Sequence, residues 1–315
     1  MPVKDLHILP KVRDSWSYLY VEHASIEQDD KAIAIFDKEG KTPVPCAALS
    51  LLMLGPGTKI SHAAIRTLAE CGCMVAWTGE EAVRFYAVGM GETRAAAQLL
   101  RQAAMHADST QRLQVVRRMY EFRFPGGLEA GLTLQQIRGK EGIRVREMYA
   151  KWSRETGVKW DGRSYKQNDW RHAEPINRAL SAANSCLYGV VHAAIVAAGY
   201  SPAIGFIHTG KMLSFVYDIA DLYKAEITIP AAFRCTAAGE QKLESRVRHL
   251  CRDRIREERM LPRIVDDLDK LFTLNEQTRQ ESAQFDAMDA QPGGLWDPDQ
   301  GRVEGGINYG EEEDQ

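Results

Sequence analysis

Apolar and polar positions alternate over short runs in the first ninety residues, whereas the rest of the chain repeats its apolar positions at helical spacing. The alternation in SWSYLYVE (15–22) and AIAIFDK (32–38) predicts half-buried strands. Further strands are expected at LSLLML (49–54), MVAWT (74–78) and VRFYAV (83–88). SHAAIRTLAECG (61–72) reads as one helix, capped by Ser61 and ended by Gly72. Several short strands and a single helix predict a small β-sandwich over residues 1–90.

Beyond Gly89 and Gly91 the spacing predicts helices over 93–106, 109–122, 133–155, 175–198, 211–225, 244–258 and 261–271. Pro125, Gly126 and Gly127 separate the second of these from the third. Pro175 stands where a first-turn proline is tolerated, and the Ala-, Ser- and Gly-rich helix behind it lets neighbouring backbones approach, so a central, buried helix is expected. From residue 282 onward Gly, Pro and acidic residues replace periodicity, which reads as a flexible acidic tail over 282–315. The expected fold is therefore α+β, a β-rich domain followed by a larger all-helical domain over 91–281.

Composition narrows the class. With 315 residues, 44% hydrophobic and 26% charged, the chain reads as an ordinary globular protein of two domains. The longest apolar stretch, 187–200, contains His192 and two glycines and is shorter than the roughly 20 residues of a spanning helix, so no membrane segment is expected. The amino terminus has no continuous apolar run of the export kind, and a cytoplasmic location is expected. The six cysteines lack CxxC spacing and read as reduced core residues. The net charge of -3 is uneven: residues 291–315 hold seven acids and one base, leaving 39 of the 40 bases against 36 of the 43 acids in the body. A mildly positive body permits nucleic-acid binding without requiring it.

The candidate chemistry lies in GFIHTGKMLSFVYDIADLYKAEI (205–227), an apolar helix that nevertheless carries Asp218 and Asp221. Three residues apart, the two carboxylates share a face, and burying like charges together is costly without a positive partner. A divalent cation is one answer, with His208 folding back to join it. The other is pairing with Lys211, Lys224 or an arginine from another helix. A mixed His and carboxylate set suits Mg²⁺ or Mn²⁺ better than zinc. A second acid, Glu141, stands among Arg138, Lys140, Arg144 and Arg146, where an intrahelical ion pair is the ordinary alternative. Gly139 and Gly142 beside it cost roughly 1 kcal/mol each in a helix, which points to close approach of a nucleic-acid backbone or of another helix. Gly205, Gly210 and Lys211 imitate a phosphate-binding loop, but Met212 cannot supply that loop's hydroxyl, and GMGETR lacks the third glycine of a dinucleotide site.

The segments GPGTKISHAAIR (55–66), QQIRGKEGIRVR (135–146), SCLYGVVHAAIVAAGYSPAIGFIHTGK (185–211) and LSFVYDIADLYK (213–224) together resemble the CRISPR-associated integrase of the adaptation module, subtype I-E, over about the first 270 residues. The resemblance implies metal ligation by Glu141, His208 and Asp221, with Asp218 as an auxiliary carboxylate and Lys211 as a phosphate contact. It implies a homodimer, two of which are bridged by a small ferredoxin-like partner into a heterohexamer. That assembly would capture duplex DNA with single-stranded 3′ ends and join it to CRISPR repeat DNA by transesterification. Lys59, Arg66 and Arg84 match duplex-phosphate contacts, and Arg138, Arg146, Arg163, Arg248 and Arg252 are further expected DNA contacts. Tyr165, Trp170, Tyr188 and Tyr217 match aromatic positions around a DNA end. Two departures stand out: His23 replaces a tyrosine wedge at the duplex fork, and Ser245 replaces an arginine for which Arg246 is the expected substitute. A structure-specific repair nuclease and a non-catalytic DNA-binding scaffold are the competing readings.

Overall fold

The computed structural model describes residues 17–30, 32–46, 49–80, 84–89, 96–124, 126–129, 131–163, 174–273, 295–298 and 301–303. Its amino-terminal part is two four-stranded sheets. The first contains β1 (Ser17–Val21), β5 (Leu49–Leu54), β7 (Met74–Thr78) and β8 (Phe85–Gly89), in that order. The second runs β4 (Gly40–Val44), β3 (Ala32–Asp37), β2 (Ser25–Asp29) and β6 (Lys59–Ile60). Helix α1 (His62–Glu70) is capped as expected, the Ser61 side chain accepting from the Ala64 N–H, and Gly72 follows it at φ 66°.

The sandwich expectation needs one correction. β1, β5 and β7 are parallel, and the first sheet is covered on both faces. Leu52, Leu54 and Val75 face the core shared with the second sheet and α1, whereas Leu51, Met53, Met74 and Ala76 face the helical region. That is why LSLLML is apolar throughout rather than alternating. The short β2, β4 and β6 are not predicted by the pattern, because EQD in the interior strand β2 and GKTPV in the edge strand β4 are largely polar or exposed and carry little apolar signal.

The helices are α2 (Ala97–Ala107), α3 (Ser109–Glu121), α4 (Leu134–Thr156), α5 (Pro175–Ala197), α6 (Ser214–Ala220), α7 (Thr228–Ala237), α8 (Leu243–Glu257) and α9 (Met260–Phe272). α4 opens with a capping box between Thr133 and Gln136. α5 is the central helix, packed against α6, α7, α8 and α9. At 23 residues it is long and apolar enough to cross a membrane, contrary to the expectation from 187–200, yet 67% of its most apolar window lies inside the fold. The expected helix over 211–225 shrinks to α6: Ser214 Oγ accepts from the Lys211 N–H and donates to the Lys211 carbonyl, holding the entry as a turn. α7 is not anticipated by the sequence pattern. Most of the expected tail lies outside the described residues, but β9 (Leu295–Asp297) and β10 (Gly301–Val303) pair there as an antiparallel ribbon.

Candidate active site

The loop from Gly205 to Gly210 is wrapped around one carboxylate. Asp218, on α6 and with no exposed surface, accepts the backbone N–H groups of Phe206, Ile207 and His208 at 2.6, 3.0 and 2.8 Å. Its Oδ1 also lies 2.7 Å from His208 Nδ1. Three N–H donors and an imidazole compensate the buried charge, so Asp218 needs no metal. The turn depends on Gly205, where a Cβ would run into the His208 carbonyl oxygen and come within 2.8 Å of the Ser214 Cβ.

Asp218, expected beside the ligands, thus lies beneath them and orients His208. Carboxylate-oriented imidazoles are the usual arrangement behind a metal-ligating histidine, and here Nε2 is the nitrogen left for a ligand. The hydrogen bond to Asp218 raises the His208 pKa against the opposing effect of burial, and the charges of Asp218 and Asp221 add to it.

Asp221 caps the end of α6 and lies 2.5 Å from Lys224 Nζ. Burial is the largest single influence on Lys224 and pulls its pKa down, but the charge and hydrogen bond of Asp221 together with those of Tyr188 outweigh it, and the net shift is upward. From α4, Glu141 receives Arg144 through Nε at 2.7 Å and a terminal nitrogen at 2.9 Å. Arg123, in the turn leaving α3, joins the two acids: one terminal nitrogen is 3.3 Å from Glu141 and the other 3.8 Å from Asp221. Sequence reading misses Arg123, because nothing in EFRFPGG marks a residue that meets partners on two other elements.

The structure therefore gathers Glu141 and Asp221 around one guanidinium and places His208 on the Asp221 side, over α6. Among the described residues, no three His, Cys, Asp or Glu side chains converge closely enough to hold an ion in this arrangement. The chemistry of the set nonetheless fits a hard divalent cation. Two carboxylates converge on one buried positive charge, and carboxylate oxygens with an imidazole nitrogen beside them are the donors such an ion takes.

Tyr188 and Tyr217 pack edge to face at 5.1 Å, Tyr217 meets the His208 ring at 5.9 Å, and Lys224 lies over the Tyr188 ring. Both tyrosines are half-buried, forming an aromatic wall beside the acids. Lys211 is exposed at the loop's end. Arg84 and Arg248 meet across the two regions of the chain, lining a cleft of about 350 Å³ with Tyr86, Ser245 and His249.

Lys59, Arg66, Arg138, Arg146 and Arg163 are exposed, Arg66 pairing with Glu70 and Arg163 reaching the Asn177 carbonyl at 3.4 Å. Arg252 pairs with Asp253. His23 is exposed at φ 52° with its ring against Gly57. Tyr165 and Trp170 lie outside the described residues. Arg246 does not substitute at the Ser245 position: its guanidinium donates to the carbonyls of Cys235, Ala238 and Gly239 at the end of α7, where unpaired carbonyls attract a cation. Among the described residues, nothing lies within 4 Å of a Cβ on Gly139 or Gly142, so no described helix packs against that face of α4.

A protein of Thermus thermophilus named CRISPR-associated endonuclease Cas1 2 is 56% identical over 308 residues, 98% of this chain and 94% of its own length. The Escherichia coli K12 protein named CRISPR-associated endonuclease Cas1 is 42% identical over 84% of this chain and 87% of its own. The crystal structure of a TtCas1–DNA complex superposes with TM-score 0.79 at 59% identity, covering 84% of this chain and 99% of that one. A casposase bound to its integration product, at 14% identity and TM-score 0.57, shares the fold. The family model for CRISPR associated protein Cas1 matches residues 17–125 and 126–249, and with it both halves of the site. The chain belongs to the CRISPR-associated Cas1 family.

Proposed function

We propose that this chain is a divalent-metal-dependent DNA endonuclease and integrase that inserts captured DNA into a CRISPR repeat array, in a subtype I-E adaptation system. The observation that carries the reading is the pairing of Glu141 and Asp221 from separate helices around a buried positive charge, with His208 held by Asp218 on the Asp221 side. The Cas1–DNA complex of a 59% identical chain supports DNA as the substrate.

Glu141, Asp221 and His208 Nε2 would hold Mg²⁺ or Mn²⁺. When bound, the ion supplies charge neutralisation at the phosphoryl oxygens of the scissile diester. The chain's own groups do the rest. Asp218 fixes the imidazole, Lys211 and the Arg84–Arg248 cleft bind phosphates, and Tyr188 and Tyr217 offer a stacking surface for an unpaired end. A DNA 3′-hydroxyl attacks the phosphorus, the new P–O bond forms as the target's P–O3′ bond breaks, and the proton lost by the attacking hydroxyl is balanced by one gained at the leaving 3′-oxygen. With water as attacking group the same site hydrolyses DNA.

The protein would work in the cytoplasm as a homodimer, joined to a small ferredoxin-like subunit in a heterohexamer. Half-site integration of a short duplex into a supercoiled repeat plasmid, with Mn²⁺ and with or without that subunit, tests the reading. Joined products that need the subunit are expected. Cleavage alone, indifferent to the subunit, would indicate a repair nuclease. An Asp221→Ala variant that processes DNA as well as the parent would reduce the protein to a binding scaffold.

A further inference from the structure

The sequence-derived site has no place for Arg123, yet Arg123 holds its centre. Its side chain is 6% exposed, less than Glu141 at 13% or Asp221 at 23%. Arg144 and Lys224 each serve one acid from the same helix or the turn after it, whereas Arg123 comes from a different element and, among the described residues, is the cation that touches both. Its Nε and one terminal nitrogen are buried without a hydrogen-bond partner, so the guanidinium is not locked in place by a full set of bonds. The guanidinium also lies 5.0 Å from the Tyr120 ring, a second favourable surface close at hand.

We infer that Arg123 is a resident counter-ion of the site: it neutralises Glu141 and Asp221 before the metal arrives and must withdraw for the metal to bind, so that it sets the apparent metal affinity. The inference rests on the metal-binding reading proposed above. The steric argument is short. Magnesium holds its oxygens at roughly 2.0–2.1 Å, and a guanidinium wedged between the two carboxylates keeps them much farther apart than one ion could span. Ion and guanidinium therefore exclude each other. Arg144 and Lys224 can keep their single acids in either state. Arg123 sits in the turn after α3, hydrogen-bonded through its backbone N–H to the Tyr120 carbonyl, and its side chain can leave without disturbing a helix interior.

The test is Mn²⁺ binding to the purified full-length protein, read from the electron paramagnetic resonance signal of free Mn²⁺, beside thermal unfolding in EDTA and in excess Mn²⁺. Arg123→Met keeps an unbranched apolar stem and removes the guanidinium and its charge. The expected result is a lower melting temperature in EDTA, restored by Mn²⁺, and Mn²⁺ affinity about tenfold tighter than the parent's. Equal or weaker affinity in the variant overturns the inference, since Arg123 would then support the carboxylates instead of competing for them. Should Arg123→Met not fold, Arg123→Gln takes its place. A glutamine is polar but uncharged, and the same tightening is expected, with equal or weaker binding again overturning the idea. Absence of Mn²⁺ binding by parent and variant alike would remove the metal site itself and this inference with it, a result distinct from equal binding by both.

Discussion

Replacing Asp218 by asparagine separates the two acids that their spacing pairs. The carboxylate accepts three backbone N–H groups and the His208 ring while wholly buried. Hydrogen bonds to a charged acceptor contribute about 1.5–3 kcal/mol each. An asparagine keeps one oxygen and turns an NH₂ group toward donors, so part of this set survives and part becomes repulsive. The expected loss is about 3–5 kcal/mol, a large share of the roughly 5–15 kcal/mol that holds a typical protein together. At about 2–4 °C per kcal/mol this is a fall in melting temperature of roughly 6–20 °C. Asp221→Asn should behave differently, because Asp221 is partly exposed and the cations it leaves behind retain Glu141 or reach solvent. A loss of about 1–2 kcal/mol is expected there, with DNA processing abolished. Urea and thermal unfolding of both variants, run beside cleavage assays, give the comparison. If Asp218→Asn unfolds within about 1 kcal/mol of the parent, or if Asp221→Asn costs as much, the account of a structural carboxylate beneath a functional one is wrong.

Replacing both Gly139 and Gly142 by alanine should stabilise α4 by about 1 kcal/mol per site, because no described residue lies within 4 Å of a Cβ at either position. Weaker DNA binding in that more stable protein would identify this face as a DNA track, and unchanged binding would dismiss it. Removing the charge of Arg84 or Arg248 should lower the slope of log affinity for DNA against log salt by about 0.9 for every phosphate no longer neutralised, measured by fluorescence anisotropy; an unchanged slope removes the cleft from the interface. His192, stacked on Phe85 at 3.9 Å between α5 and β8, has its pKa lowered by burial to about 4. The folded protein then binds fewer protons there than the unfolded chain, so stability is complete above an unfolded-state value of about 6.5 and falls as the pH drops toward 4. His192→Phe should flatten that part of the melting-temperature profile, and a parallel profile would contradict the assignment.

The sequence by itself determined where most helices lie, the Ser61 cap and the buried centrality of α5, since each of these is carried by local spacing or by residue type. Expecting Asp218 and Asp221 to share one cation follows from their spacing on α6, but the backbone donors that satisfy Asp218 come from a loop whose course no periodicity announces. Only the tertiary structure could place Arg123 between Glu141 and Asp221, tie Arg246 to the end of α7, and cover both faces of the first sheet. In each case the partners are distant in sequence and meet because hydrophobic burial brings their helices and strands together, after which charge and hydrogen bonding select among the side chains that happen to face one another.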